Sequence, residues 1–173
     1  MPYAVTHVIL TIIILDLYRD YVAKHKKYFT LWTIFIGGLA GLFPDMDIPV
    51  HFALSKIGID ISLLAHGGIT HTPIIGILFL IPFAAFWMMK KHRLAVIFLV
   101  ISFGLLFHVL LDFMIGGGNI SGLTLFYPFS TQQYRLFLFG DDMTFPSRAG
   151  LDALILILWL FHEERKHKLI DFI

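Results

Sequence analysis

The sequence predicts an all-α, polytopic integral membrane helical bundle of about five transmembrane helices, on three observations. Of 173 residues, 58% are apolar and only 14% charged, and the mean hydropathy is +0.82, whereas soluble domains run at about half apolar and a quarter charged. The apolar residues gather into five runs, roughly Tyr3 to Leu17, Tyr28 to Phe43, Thr72 to Met89, Leu94 to Ile115 and Ala149 to Phe161. Lysines and arginines alternate between the connections, ten on one side and three on the other. Positively charged loops are retained in the cytoplasm, so the N-terminus is expected outside and the C-terminus cytoplasmic. Residues 1–173 are expected to form a single membrane-embedded domain in the cell membrane.

Each run has its own signature. The first is preceded by no lysine or arginine and followed by no small-x-small cleavage pattern, so it is expected to be a mature helix and not a removable signal peptide. The second carries Gly37-Gly38-x-x-Gly41, which lets a neighbouring helix approach closely, and it ends in Pro44-Asp45-Met46-Asp47. Pro82 is expected to kink the third. Only the fourth comfortably exceeds the roughly 20 residues that a span needs; the first, second and fifth are short. The long connection from Gly116 to Arg148 opens with three glycines, which would permit a hinge, and carries seven aromatic residues. Those aromatics are expected to anchor at headgroups, or to form a lid.

Composition also narrows the function. A net charge of +1 with no basic stripe removes the electrostatic case for a nucleic-acid partner. With no cysteine in the chain, there is no thiolate site, and any metal must be held by imidazole and carboxylate.

The topology sorts the nine histidines. His25, His92, His162 and His167 fall among inner lysines and arginines and read as interfacial residues, as do Asp16 and Asp20. His7, His51, His66, His71 and His108 fall toward the outer face, together with Asp45, Asp47 and Asp112. His108 and Asp112 are spaced i, i+4, so they project from one helical face and reach a common ion. An aspartate inside an apolar helix costs a few kcal/mol unless it is paired. Singly, His7 has a backbone hydrogen bond as its plain explanation, and Asp45 and Asp47 have capping. Together, independent capping does not explain why four outer helix ends each contribute a histidine or carboxylate. Metal ligation by His7, Asp45, Asp47, His66, His71, His108 and Asp112 does. Asp152 is expected to join this site or to pair with Arg148, while His51, Asp60, Asp141 and Asp142 read as loop residues.

The succession Thr6-His7, Phe43-Pro44-Asp45-Met46-Asp47, His66-Gly67-Gly68-Ile69-Thr70-His71-Thr72, His108-x-x-x-Asp112 and Tyr127-Pro128-Phe129-Ser130 resembles the YdjM-like family of membrane-bound metal-dependent hydrolases. The resemblance covers nearly the whole chain. It implies a small helical membrane protein with hydrolase activity, whose motif residues correspond to the seven ligands above. In one respect the chain departs from the family pattern: Gly67 stands where the histidine motif usually carries arginine, and Thr72 where it carries serine. The planar anion binder is then missing, unless Arg135 substitutes for it.

Seven ligands exceed what one tetrahedral zinc requires, so two ions are expected, zinc or alternatively manganese, activating a water for phosphoester hydrolysis. Asp45, Asp47 and His66 are the expected catalytic groups, and Thr72, Tyr127 and Arg135 the expected substrate contacts. The expected substrate is a membrane lipid or a lipid-linked phosphate. The alternatives are a metal-dependent amide or ester hydrolase, slightly disfavoured because both glutamates, Glu163 and Glu164, lie at the opposite face, and a non-enzymatic metal-binding membrane scaffold or carrier. Transport is disfavoured because the titratable groups cluster at one end.

Overall fold

The longest apolar run becomes the hub of the molecule. The computed structural model describes residues 4–24, 27–61, 66–115, 122–136, 138 and 145–167, without the side chains of 145–149 and 167. His25, Gly116 to Gly118, Asp141, Asp142 and the side chains of Arg148 and His167 lie outside the described residues.

Seven α-helices are described: α1 (Ala4–Leu17), α2 (Leu31–Ala40), α3 (Asp47–Lys56), α4 (Pro73–Leu78), α5 (Leu80–Met88), α6 (His92–Ile115) and α7 (Phe145–His167). Among the described residues the only strand-like pairing is an antiparallel bridge between Leu123 and Tyr134. At 24 residues and about 1.5 Å per residue, α6 reaches across a hydrocarbon core of about 30 Å. It alone among the described helices is long and apolar enough to do so by itself. It packs against α1, α2, α4 and α5, while α7 lies against α1.

Local sequence explains the breaks. The third apolar run is interrupted at Phe79, between α4 and α5. Pro82 has no N–H to donate to the Leu78 carbonyl, and its ring crowds that carbonyl. The second run starts at Thr30, whose hydroxyl accepts the Thr33 amide at 3.2 Å. It ends in a 3-10 turn, Pro44–Met46, that leads directly into α3. That turn bends the path by 49° between α2 and the segment Pro44–Lys56, and together the two pass the length and composition criterion for a span.

The glycine expectation holds, with an addition. A Cβ at Gly37 would strike Leu15, and one at Gly38 would strike Ile12, so α2 lies hard against α1. The other side of the seam is made by Gly104 of α6, where a Cβ would meet the Gly37 carbonyl and the Gly41 amide. Below this seam Leu15, Phe29, Ile34, Val96 and Val100 form the apolar core. At the opposite end the carbonyls of Phe113 and Met114, left open by the end of α6, accept the amides of Leu136 and Leu138 at 2.9 and 2.7 Å. The connection after α6 is thereby pinned next to Asp112.

Candidate metal centre

Four chain segments converge above the glycine seam. α1 supplies His7, the Pro44–Met46 turn and the first residue of α3 supply Asp45 and Asp47, and a 3-10 turn (Ile69–His71) supplies His71. The fourth segment, α6, supplies His108 and Asp112 one turn apart on one face. His7, His71 and His108 are wholly buried and Asp112 is 1% exposed.

The donor atoms face one point. His108 Nε2 lies 3.3 Å from His71 Nε2 and 3.3 Å from Asp112 Oδ2. Asp45 Oδ1 lies 3.6 Å from both His71 Nε2 and His108 Nε2, and Asp112 Oδ2 is 3.6 Å from His71 Nε2. Four donors placed tetrahedrally about 2.0–2.1 Å from a cation stand about 3.3–3.4 Å apart. The group Asp45, His71, His108 and Asp112 therefore has both the donor types and the spacing to hold a metal ion.

The ring orientations suit a cation. His108 Nδ1 stands 2.7 Å from the Gly41 carbonyl, which can only accept, so Nδ1 carries a proton and Nε2 is turned to the centre. His71 Nδ1 faces Asp47 Oδ2 at 3.3 Å, which turns the Nε2 of His71 to the same point. Two lone pairs at this separation repel unless a proton or a metal ion lies between them. His7 extends the group, with Nε2 3.3 Å from Asp112 Oδ1 and its ring stacked 3.8 Å from that of His108. None of these contacts to His7 or Asp112 is aligned as a hydrogen bond: both ring nitrogens and both carboxylate oxygens are enclosed without one. Orphaned buried polar atoms are rare without a ligand to satisfy them.

Asp47 and His66 occupy a different place. Asp47 accepts the Thr70 hydroxyl at 2.8 Å and stands 2.9 Å from His66 Nδ1, as well as facing His71. It is the carboxylate behind a candidate ligand, the arrangement that would fix that ring's orientation. His66 is 24% exposed and forms the rim. Asp47, His66 and His71 also make up a second group with metal-binding spacing, but His71 belongs to both groups through different nitrogens.

His71 lies before α4, and its titration reflects these neighbours. Burial pushes the imidazole down, but contacts with Asp45 and Asp47 and the charge of Asp112 outweigh burial and raise its pKa to about 9.

Of the expected substrate contacts, Thr72 directly follows His71, is 1% exposed and donates its hydroxyl to the Ile69 carbonyl at 2.8 Å. Tyr127 is half-buried and Arg135 exposed in the segment 122–136. That segment is tied to the histidine loop where the Thr124 hydroxyl donates to the Gly67 carbonyl at 2.8 Å. Gly67 itself has φ +81°, a left-handed conformation in which an arginine would be strained.

Several roles are hidden in the sequence. Thr70, which anchors Asp47, sits between the two motif histidines, and its residue type alone does not mark it. Asp152 is not part of the group that converges on the centre, and its expected partner Arg148 has its side chain outside the described residues; the two carboxylate oxygens of Asp152 accept the Thr6 hydroxyl at 2.8 and 3.0 Å, which ties α7 to α1 beside His7. At the opposite end Asp16 and Arg19 are buried within the helices. Arg19 pairs with Asp16 at 2.6 Å and with Asp20 at 3.1 Å, and Lys166 of α7 reaches Asp20 at 3.0 Å. His162 likewise contacts Tyr21, at 2.9 Å.

Fold and site together define a helical membrane protein with an enclosed imidazole and carboxylate site that can hold a metal ion. The chain belongs to the YdjM inner membrane protein family, which it matches over residues 1–169. Neither a curated protein nor a solved structure matches it.

Proposed function

We propose that this chain is a multi-pass metal-dependent hydrolase of the inner membrane, acting at the extracytoplasmic face on a lipid or lipid-linked phosphoester. The observation that carries this reading is the convergence of Asp45, His71, His108 and Asp112 at metal-ligand spacing, with both histidine Nε2 atoms turned inward. The alternation of lysine and arginine supports five passes, with the N-terminus outside and the C-terminus cytoplasmic.

A divalent cation held there, zinc by the donor types with manganese as the alternative, supplies a Lewis acid and brings the pKa of a bound water toward neutrality. The chain's own residues do the rest. His108 is oriented by the Gly41 carbonyl and His71 by Asp47. Asp47 passes charge and hydrogen bonding on to His66, which, being partly exposed, is placed to exchange a proton with solvent. Asp45, 13% exposed, is the carboxylate of the centre nearest the surface. Arg135 is the anion binder of this reading, because the neighbouring Leu136 amide is fastened to the carbonyl of Phe113, directly after Asp112. Tyr127 and Thr72 complete the substrate side.

The expected two ions divide unevenly. One would be held by the enclosed group with His7 alongside it, and the second would fall to Asp47 and His66 in place of the His66–Asp47 hydrogen bond.

The test is elemental analysis of detergent-purified protein, wild type against His71→Ala and Asp112→Ala, followed by hydrolysis assays on phospholipids and polyprenyl phosphate. Wild type is expected to hold zinc or manganese, both variants to lose it, and only wild type to release product. One equivalent of metal would assign Asp47 and His66 to orientation alone, and two would assign them to a second ion. Wild type that takes up no metal after incubation with either ion overturns the reading. Wild type that binds metal but cleaves none of these lipids overturns the substrate class.

A further inference from the structure

Among the described residues, the helix that springs from the candidate metal centre has little protein around it. α3 follows the Pro44–Met46 turn and begins with Asp47, and that turn is its main contact. Asp47 is buried, and His51 and Leu54 are half-buried on the same side. Ile48, Pro49, Val50, Phe52 and Ala53 are all exposed. At about 100° per residue these five positions sweep an arc of roughly 200°. Beyond the helix Ile57, Ile59 and Ile61 are exposed as well, Ile57 at 70%.

We propose that α3 and the chain up to Ile59 are immersed in the bilayer leaflet that borders the metal centre, with lipid acyl chains as the partner of their apolar surface. Three observations select lipid over water or a second protein. An exposed apolar surface this continuous is not left in water by a soluble element. A protein partner needs an apolar stripe of little more than 100°, half of what α3 displays. Finally, the surface continues one that already faces outward on α2: Trp32, Phe35, Leu39, Phe43, Met46 and Val50 recur at intervals of three and four residues and are all exposed. The stripe runs unbroken through the 49° bend.

The charge pattern fits the same partner. Lys56 closes α3 with its amino group lying back over the Phe52 ring, 5.2 Å from the centroid, and no acidic residue lies between Ile48 and Ile59. A lysine whose stem lies on apolar surface and whose amine ends at the boundary is suited to a lipid phosphate. The consequence for the site is geometric. Asp45 and Asp47 stand at the root of the immersed arm, so a lipid headgroup reaches the centre sideways from the leaflet.

The chain has no cysteine, so single-cysteine variants at Val50, Phe52 and Ile57, with Leu39→Cys of α2 as the lipid-facing reference, can be spin-labelled without further changes. The labelled protein is placed in mixed phosphatidylethanolamine and phosphatidylglycerol vesicles, and relaxation by oxygen is compared with relaxation by a water-soluble nickel chelate. Oxygen is expected to dominate at all three sites as it does at Leu39→Cys. Dominance of the nickel chelate would overturn the proposal in favour of water. Low access to both agents, with spin–spin broadening, would overturn it in favour of a second copy of the chain. Phe52→Trp provides a second measurement that tolerates poor labelling: lipids brominated on the acyl chain are expected to quench most of the added emission, and no quenching overturns the proposal. None of these readouts needs a metal, so their outcome is independent of the hydrolase reading.

Discussion

His71 works through two nitrogens at once. Nδ1 is turned to Asp47 and Nε2 to Asp45, His108 and Asp112, so a proton on Nε2 and a metal ion compete for the same place. In metal-free protein the proton is held up to about pH 9. The folded state then binds more protons than the unfolded chain between the ordinary histidine value of about 6.5 and 9. The protonated imidazole contributes its full stability below about 6.5 and loses it as pH rises through 9, a change on the order of 3 kcal/mol. Thermal denaturation of chelator-treated protein in detergent is expected to show a falling melting temperature from about pH 6.5 to 9. Zinc affinity is expected to rise over the same interval, because the metal no longer has to displace the proton. A flat melting curve would show that another group holds the charge.

At the scale of elements, the crossing of α2 and α6 sets up the centre. Gly104 lets the Gly37 carbonyl and Gly41 amide approach the α6 backbone, and the Gly41 carbonyl is the group that orients His108. A methyl at Gly104 meets backbone, which has no flexible end to move aside. Gly104→Ala is therefore expected to cost about 1–3 kcal/mol by overpacking and to reduce bound metal together with the melting temperature. Gly150→Ala on α7, where a Cβ has nothing within 4 Å, is the control. It is expected to be neutral or stabilising by up to about 1 kcal/mol, the difference in helix propensity. Equal losses in both variants would mean that the seam does not govern the site.

For the molecule as a whole, the centre is the place where α1, the turn into α3, the His66–His71 loop and α6 meet. An ion held by these segments binds the folded state and not the unfolded chain. At free metal about a thousand times the dissociation constant, this linkage amounts to about 4 kcal/mol. Adding chelator is expected to lower the melting temperature of wild type by several degrees and to leave His71→Ala unchanged. A chelator effect of the same size in both would place the stabilising metal elsewhere. α7 depends less on the centre. It is tied to α1 by Asp152 to Thr6 at one end and by Lys166 to Asp20 and His162 to Tyr21 at the other.

Composition and pattern alone carried the helical class, the positions of the apolar runs, the close approach at Gly37 and Gly38, the break near Pro82 and the polar residues of the centre. All of these depend on residue type or on neighbours along one helix, as with His108 and Asp112 four residues apart. Only the tertiary structure decided which nitrogen of each histidine faces inward, that Asp47 stands behind His71, and that Asp16 and Arg19 are buried as a pair in their surroundings. It also decided that Asp152 meets Thr6, 146 residues away. Such pairings follow from how helices distant in sequence lean on one another, and hydrophobic period records which face of a helix is buried but not which face of another helix it will meet.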